Sequence, residues 1–133
     1  MTAAAHPRMR ATSATVWTGR AISTLVALFM IMDAVIHLVK PQPVVTSFAQ
    51  LGLPLQLSVP IGLLSLACTA LYVIPPTSLV GAVFLTGYLG GAIAIQARAG
   101  SAVFPTIFPL IIGALVWGGL ALRGRLPSGD RTT

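Results

Sequence analysis

Charge is scarce in the middle of this chain, and acidic charge is scarce throughout. Asp33 and Asp130 are its acidic residues, and between Ala21 and Leu122 the formal charges are Asp33, Lys40 and Arg98 alone. With 133 residues, 56% hydrophobic and 8% charged, the chain has too little polar surface to clothe a water-soluble globule, so lipid must cover the remainder. Cysteine is single. Cys68 sits in an apolar run, which excludes an internal disulfide or a CxxC redox pair and fits core packing. Two histidines, one of them His6 near the N-terminus, cannot supply an intramembrane bis-His haem, and no Cys/His cluster has zinc or iron-sulfur spacing. No base and acid stand at suitable spacing around a serine, and there is no Walker-type loop. No metal or haem is therefore expected. Proton or quinone chemistry, small-molecule binding and passive assembly stay open.

What the chain does have is apolar length. A bilayer core of about 30 Å takes roughly 20 apolar residues per helix, and the stretch from Ala21 to Leu122 accommodates four with short connections. The reading is an all-α integral membrane bundle of four transmembrane helices, over about 21–39, 57–74, 78–96 and 108–122, inside a membrane domain of 19–123. Residues 1–18, rich in Ala, Thr and Ser, and residues 124–133 read as disordered tails. A signal peptide competes for the first span, since Arg20 precedes an apolar run. No A-x-A-like site follows, and Asp33 interrupts the run. Between the first two spans, about 43–52 reads as a short amphipathic surface helix with Val44, Val45, Phe48 and Leu51 on its apolar side. Pro75-Pro76 closes the second span. Pro60 reads as a first-turn proline or a mild kink, and Pro109 falls in the first turn of the fourth span, which follows Pro105.

Small residues recur on two of the spans. Gly87, Gly91 and Ala94 share a face of the third, and Ala114 and Gly118 repeat the theme on the fourth. These faces are expected to pack closely against neighbouring helices within the chain, with homo-oligomerisation as the alternative. Orientation follows from the basic residues flanking the spans. Arg8, Arg10, Arg20, Arg123, Arg125 and Arg131 lie on one side and Lys40 and Arg98 on the other, which predicts cytoplasmic N- and C-termini. Trp17, Tyr72 and Trp117 fall toward the same inner boundary, where amphipathic rings settle. The net charge of +6 is explained by this anchoring rather than by nucleic acid, since no basic stripe interleaved with aromatics exists.

Asp33, His37 and Lys40 stand at i, i+4 and i+7, within roughly 60° of one another on a helical wheel. Asp33 lies about 18 Å along the first span, just past mid-membrane, where a carboxylate costs about 2.5–3.5 kcal/mol on insertion scales and needs a partner or a purpose. Tyr88 on the third span reaches a similar depth, with Gln96 and Arg98 at that span's outer end. Asp33, His37, Tyr88, Gln96 and Arg98 are thus the candidates for one pocket opening outward. The competing reading is a structural Asp33–His37 hydrogen bond with Lys40 and Arg98 snorkelling at the boundary.

Four segments carry a family resemblance: DAVIHLVKP (33–41), IGLLSLACTALYVIP (61–75), LTGYLGGAIAIQAR (85–98) and FPLIIGALVWGGLALR (108–123). They resemble the DoxX-like family of small four-helix bacterial membrane proteins, with the GYLGG run (87–91) the most specific stretch. The resemblance implies a multi-pass protein of the bacterial plasma membrane, an accessory or subunit of a quinone-linked redox system that works with membrane redox partner proteins. Tyr88 and Arg98 fit the family's pattern, and Asp33 fits it less closely. Lysine is common in the family where His37 stands and histidine where Gln96 stands. Gln96 removes an imidazole suited to proton transfer, and His37 is a cation only when protonated. The alternative function is a non-catalytic scaffold or assembly protein docking through its Gly-rich third helix. A small-solute permease ranks last, since a chain this short without inverted repeats would need to pair with itself. Stand-alone catalysis is not supported by the residues present.

Overall fold

The computed structural model describes residues 12–126. Five α-helices form: α1 Ser13–Val39, α2 Gln42–Leu51, α3 Ser58–Val73, α4 Ser78–Arg98 and α5 Val103–Leu122, with single 3₁₀ turns at Leu55–Leu57 and Pro75–Thr77. Four of them, α3 and α4 counted with their preceding 3₁₀ turns, are long and apolar enough to cross a membrane. They pack as a ring in the order α1, α3, α4, α5, so that α1 and α4 stand at opposite corners. The chain is an all-helical membrane bundle.

Helix boundaries follow local chemistry. α1 begins at Ser13, well before the apolar run, because the Thr12 hydroxyl accepts the Thr15 amide at 3.3 Å and so caps the first turn. Residues 13–18 are therefore helical, not a disordered tail; the rest of that expectation, 1–11, and 127–133 at the other end fall outside the described residues. α1 stops where Lys40 turns left-handed (φ 55°) ahead of Pro41. α5 begins at Val103, one turn before the expected start, because Pro105 fits a first turn whose amides need no helical partner. Pro109 consequently lies inside α5, where its missing N–H leaves the Pro105 carbonyl without its helical donor. After α5, Gly124 (φ 69°) and Arg125 return their amides to Ala121 and Leu120, so the chain beyond Leu122 closes as a helix stop rather than running straight into a tail.

The two ends of the bundle differ. At the end holding Ser13, Pro75 and Leu122, packing is tight. Tyr72 is fully buried, and its hydroxyl donates to the Val116 carbonyl at 2.8 Å and lies 3.0 Å from Ser23 Oγ, joining α3 to α5 and α1. The Arg123 guanidinium carbon stands 5.0 Å from the centre of the Tyr72 ring. Tyr72 is thus a core residue and not one of an interfacial trio, because its hydroxyl finds two partners inside the bundle. Trp17 stays largely exposed, and Trp117 donates Nε1–H to Thr86 Oγ1 at 2.8 Å. Backbones meet at glycines here. A Cβ at Gly119 would lie 2.6 Å from Ser23 Oγ, and one at Gly81 would run into the Tyr72 backbone. Val26, Met30, Leu85, Leu89, Ile112 and Val116 complete the core. Around it, Leu25, Leu28, Leu63, Val80, Leu110 and Ile111 turn outward as a lipid-facing coat.

The small-residue faces do not serve intramolecular packing as expected. A Cβ at Gly87, Gly91 or Gly118 would meet nothing within 4 Å, and Ala94 and Ala114 are exposed. Helix rotation about the long axis is fixed by the glycines that do meet a neighbour, Gly19, Gly62, Gly81 and Gly119, and these turn the other small faces away. The contrast is measurable. Gly81→Ala should lower unfolding stability in detergent by about 1–3 kcal/mol through overpacking, whereas Gly90→Ala, in open space, should hold or raise it by up to about 1 kcal/mol. Equal effects in thermal unfolding would show that the two ends are not packed differently.

Candidate functional site

Toward the other end the ring loosens around a cleft of about 860 Å³ that all five helices help to line. Its walls are mainly apolar: Phe29 and Met30 from α1, Ile61, Leu64 and Cys68 from α3, Phe84 and Leu89 from α4, Phe104 and Phe108 from α5. α2 caps the cleft, laying Val44 and Phe48, both buried, toward it. That amphipathic cap is held by geometry at both ends. Lys40 and Gly52 are left-handed at its borders, and Arg98 Nη2 donates to the Leu51 carbonyl at 3.3 Å.

The polar groups converge inside. Tyr88 Oη, from α4, donates to Asp33 Oδ2, from α1, at 2.9 Å, a bond that spans the bundle's diagonal. Only matched depth on two parallel helices permits it, as their sequence positions suggest. His37 stands one turn along α1, with Nε2 3.9 Å from Asp33 Oδ1, too long for a hydrogen bond but close enough for ion pairing when the ring is protonated. Its Nδ1 is buried and has no hydrogen-bond partner among the described residues, while its ring meets Phe48 edge-on at 5.7 Å between centroids. Ser58 Oγ donates to the His37 carbonyl at 2.6 Å and pins this turn of α1 against the start of α3.

Of the five candidates, the structure brings Asp33, His37, Tyr88 and Gln96 to the cleft wall. Gln96 also lines a smaller cavity of about 320 Å³ with Ser47, Gln50 and Ser101, at the α2 end. Arg98 is the exception: it is exposed, reaches the end of α2 and does not line the cleft. Its direction is set by where α2 stops, since the unpaired carbonyls of a helix C-terminus attract a guanidinium. Phe48 and Cys68 are wall residues that a site reading of the sequence passed over. The signal for Phe48 was the apolar side of α2; Cys68 offered none beyond its apolar setting. Gly87 and Gly91 also belong to this wall rather than to a helix contact.

Four apolar spans around a half-buried carboxylate, tyrosine and imidazole define a class: a small helical membrane protein with a polar group enclosed in an apolar cleft. The DoxX-like family matches residues 21–119, which takes in the second and third spans whole, most of the first and fourth, and Asp33, His37, Tyr88 and Gln96 of the cleft, and the chain belongs to that family. No curated protein and no solved structure matches it.

The Tyr88–Asp33 bond should be separable from the scaffold. In a double-mutant cycle of Asp33→Asn and Tyr88→Phe, thermal unfolding in detergent should give a coupling energy of about 0.5–3 kcal/mol. Strict additivity would mean that the two side chains do not share a hydrogen bond.

Proposed function

We propose that this protein is the membrane component of a redox system, holding the ring of a quinone in the cleft. The observation that carries this reading is the Tyr88–Asp33 hydrogen bond at 2.9 Å within walls that are otherwise largely apolar. A cavity of about 860 Å³ exceeds the bulk of a single ring, and Phe29, Phe84 and Phe108 supply faces against which a flat ring can lie. Such a ring carries electrons and protons together. The side chains of this protein would bind and orient it: Tyr88 Oη, its proton committed to Asp33 Oδ2, can accept from a ring hydroxyl, and Asp33 holds that phenol in place while facing the His37 ring. Gln96 cannot take up a proton as a histidine there would, so proton handling rests on His37 with Asp33.

A second reading has its own observation. Gly87, Gly90 and Gly91 leave one side of α4 without neighbours, which suits close approach by a partner helix or a second copy in a non-catalytic scaffold. One experiment separates the two: affinity capture from gently solubilised membranes, with mass spectrometry of lipids and proteins. On the quinone reading, Asp33→Asn should lower co-purified quinone at least tenfold, a loss of about 1.4 kcal/mol, and Gly90→Leu should leave it unchanged. On the scaffold reading, Gly90→Leu should remove the partner and Asp33→Asn should be silent.

The reading also places the protein in the bacterial plasma membrane with both termini in the cytoplasm and α2 on the outer face, on the balance of Arg20, Arg123 and Arg125 against Lys40 and Arg98. Reporter fusions after Leu126 should be active as a cytoplasmic enzyme and silent as a periplasmic one. The opposite pattern would invert the cleft and rule out an outward mouth.

A further inference from the structure

The cleft's wall is incomplete on one side. α3 and α4 touch backbone to backbone at Gly81 and Tyr72, beside the Pro75-Pro76 turn that joins them. About one and a half and three turns farther along α4, a Cβ at Gly87 or Gly91 would meet nothing within 4 Å, and both residues line the cleft. Leu64 of α3 and Phe84 of α4 line the cleft beside them, and each keeps about half of its surface accessible, at 51% and 55%. In a membrane-embedded bundle the outside is acyl chain. A cleft lined on adjacent helices by residues this accessible, with glycine in place of side chains at 87 and 91, has room for an opening between α3 and α4.

Inside, the chemistry selects a headgroup. Asp33 Oδ2 is occupied by Tyr88, but Oδ1 accepts no hydrogen bond among the described residues, with His37 Nε2 at 3.9 Å. No lysine or arginine lines the cleft. A carboxylate with an open acceptor and no lysine or arginine beside it favours a donor and repels an anion, with neutral His37 adding no charge.

We propose that the cleft is a lateral port that admits, from the bilayer between α3 and α4, an amphiphile with a single apolar chain and an uncharged headgroup carrying a hydroxyl donor. The hydroxyl is received by Asp33 Oδ1, and the chain leaves past Leu64, Gly87 and Phe84 into lipid. This deepens the quinone reading and rests on it, because it uses the same polar pair. It favours the hydroxyl-bearing form of a ring over the carbonyl form, and it excludes fatty acids and phospholipids as ligands.

The test uses the full chain in phosphatidylcholine nanodiscs and a long-chain alkyl resorcinol with a diazirine in its chain, with labelled peptides mapped after irradiation. Labelling is expected on the facing sides of α3 and α4 around Leu64 and Phe84. Gly87→Phe, which fills the gap from open space, should cut it at least tenfold, a change of about 1.4 kcal/mol. Gly90→Phe, the same bulk on the same helix outside the cleft wall, should not. A fatty acid of equal chain length should compete at least tenfold less well than unlabelled probe. Labelling confined to the lipid-facing coat, or insensitive to Gly87→Phe, overturns the port. So does a crosslink joining α4 of two copies through Gly87, which would make a second protein the occupant of the gap. Chainless resorcinol separates the two levels of the argument: if its binding depends on Asp33 while the port fails, the site stands without lateral access. If Asp33→Asn leaves its binding unchanged, the site itself is wrong.

Discussion

The hydroxyl of Tyr72 gathers three helices at one point, donating to a carbonyl of α5 and meeting a serine of α1 from its place on α3. Inside a bilayer no water stands by to satisfy a polar group left over from an imperfect fit, so this contact must be made well or not at all. Making it draws the backbones together, and glycine at 19, 81 and 119 lets them come that near. α3 and α4, packed tightly at one end and joined there by a proline turn, have no requirement to stay close at the other, whereas α1 and α3 still meet there at Gly62. The cleft is the geometric outcome of that asymmetry, with α2 laid across the wide end.

The polar pair in the cleft obeys the same law by a different route. A carboxylate at mid-membrane is tolerated because Tyr88 reaches it from the opposite corner, not because its own neighbours on α1 complete it. His37 completes it only in part. At 3.9 Å the imidazole is held in reserve, available to a ligand or a proton, and its buried Nδ1 is the least satisfied atom of the site. The combination of one bond made and one left open is what gives the cavity chemical character beyond its volume.

Much of the scaffold is legible in the sequence, because uninterrupted apolar length has one stable outcome in lipid. The pairing of Asp33 with Tyr88 is legible for a related reason: depth is counted along an axis at a fixed rise per residue. What escapes is anything that depends on rotation or on where a neighbour ends. Gly87 and Gly91 form as good a small-residue face as Gly81, and nothing in their spacing says that Gly81 would be the one to meet a backbone. Arg98 reads as a pocket cation until α2 stops beside it and presents a free carbonyl. The early start of α1 turns on a single capping hydroxyl at Thr12, which is invisible to a reading based on hydropathy. The swallowing of Pro105 into α5 turns on the tolerance of a first turn for proline.

Because the Asp33–Tyr88 bond joins opposite corners, the ring of neighbouring helices closes without it. Chemistry and architecture are thereby uncoupled. The side chains that face the hollow are not the ones that keep the helices upright; Gly81, Tyr72 and Gly119 do that at the opposite end, so the lining can change without the frame giving way.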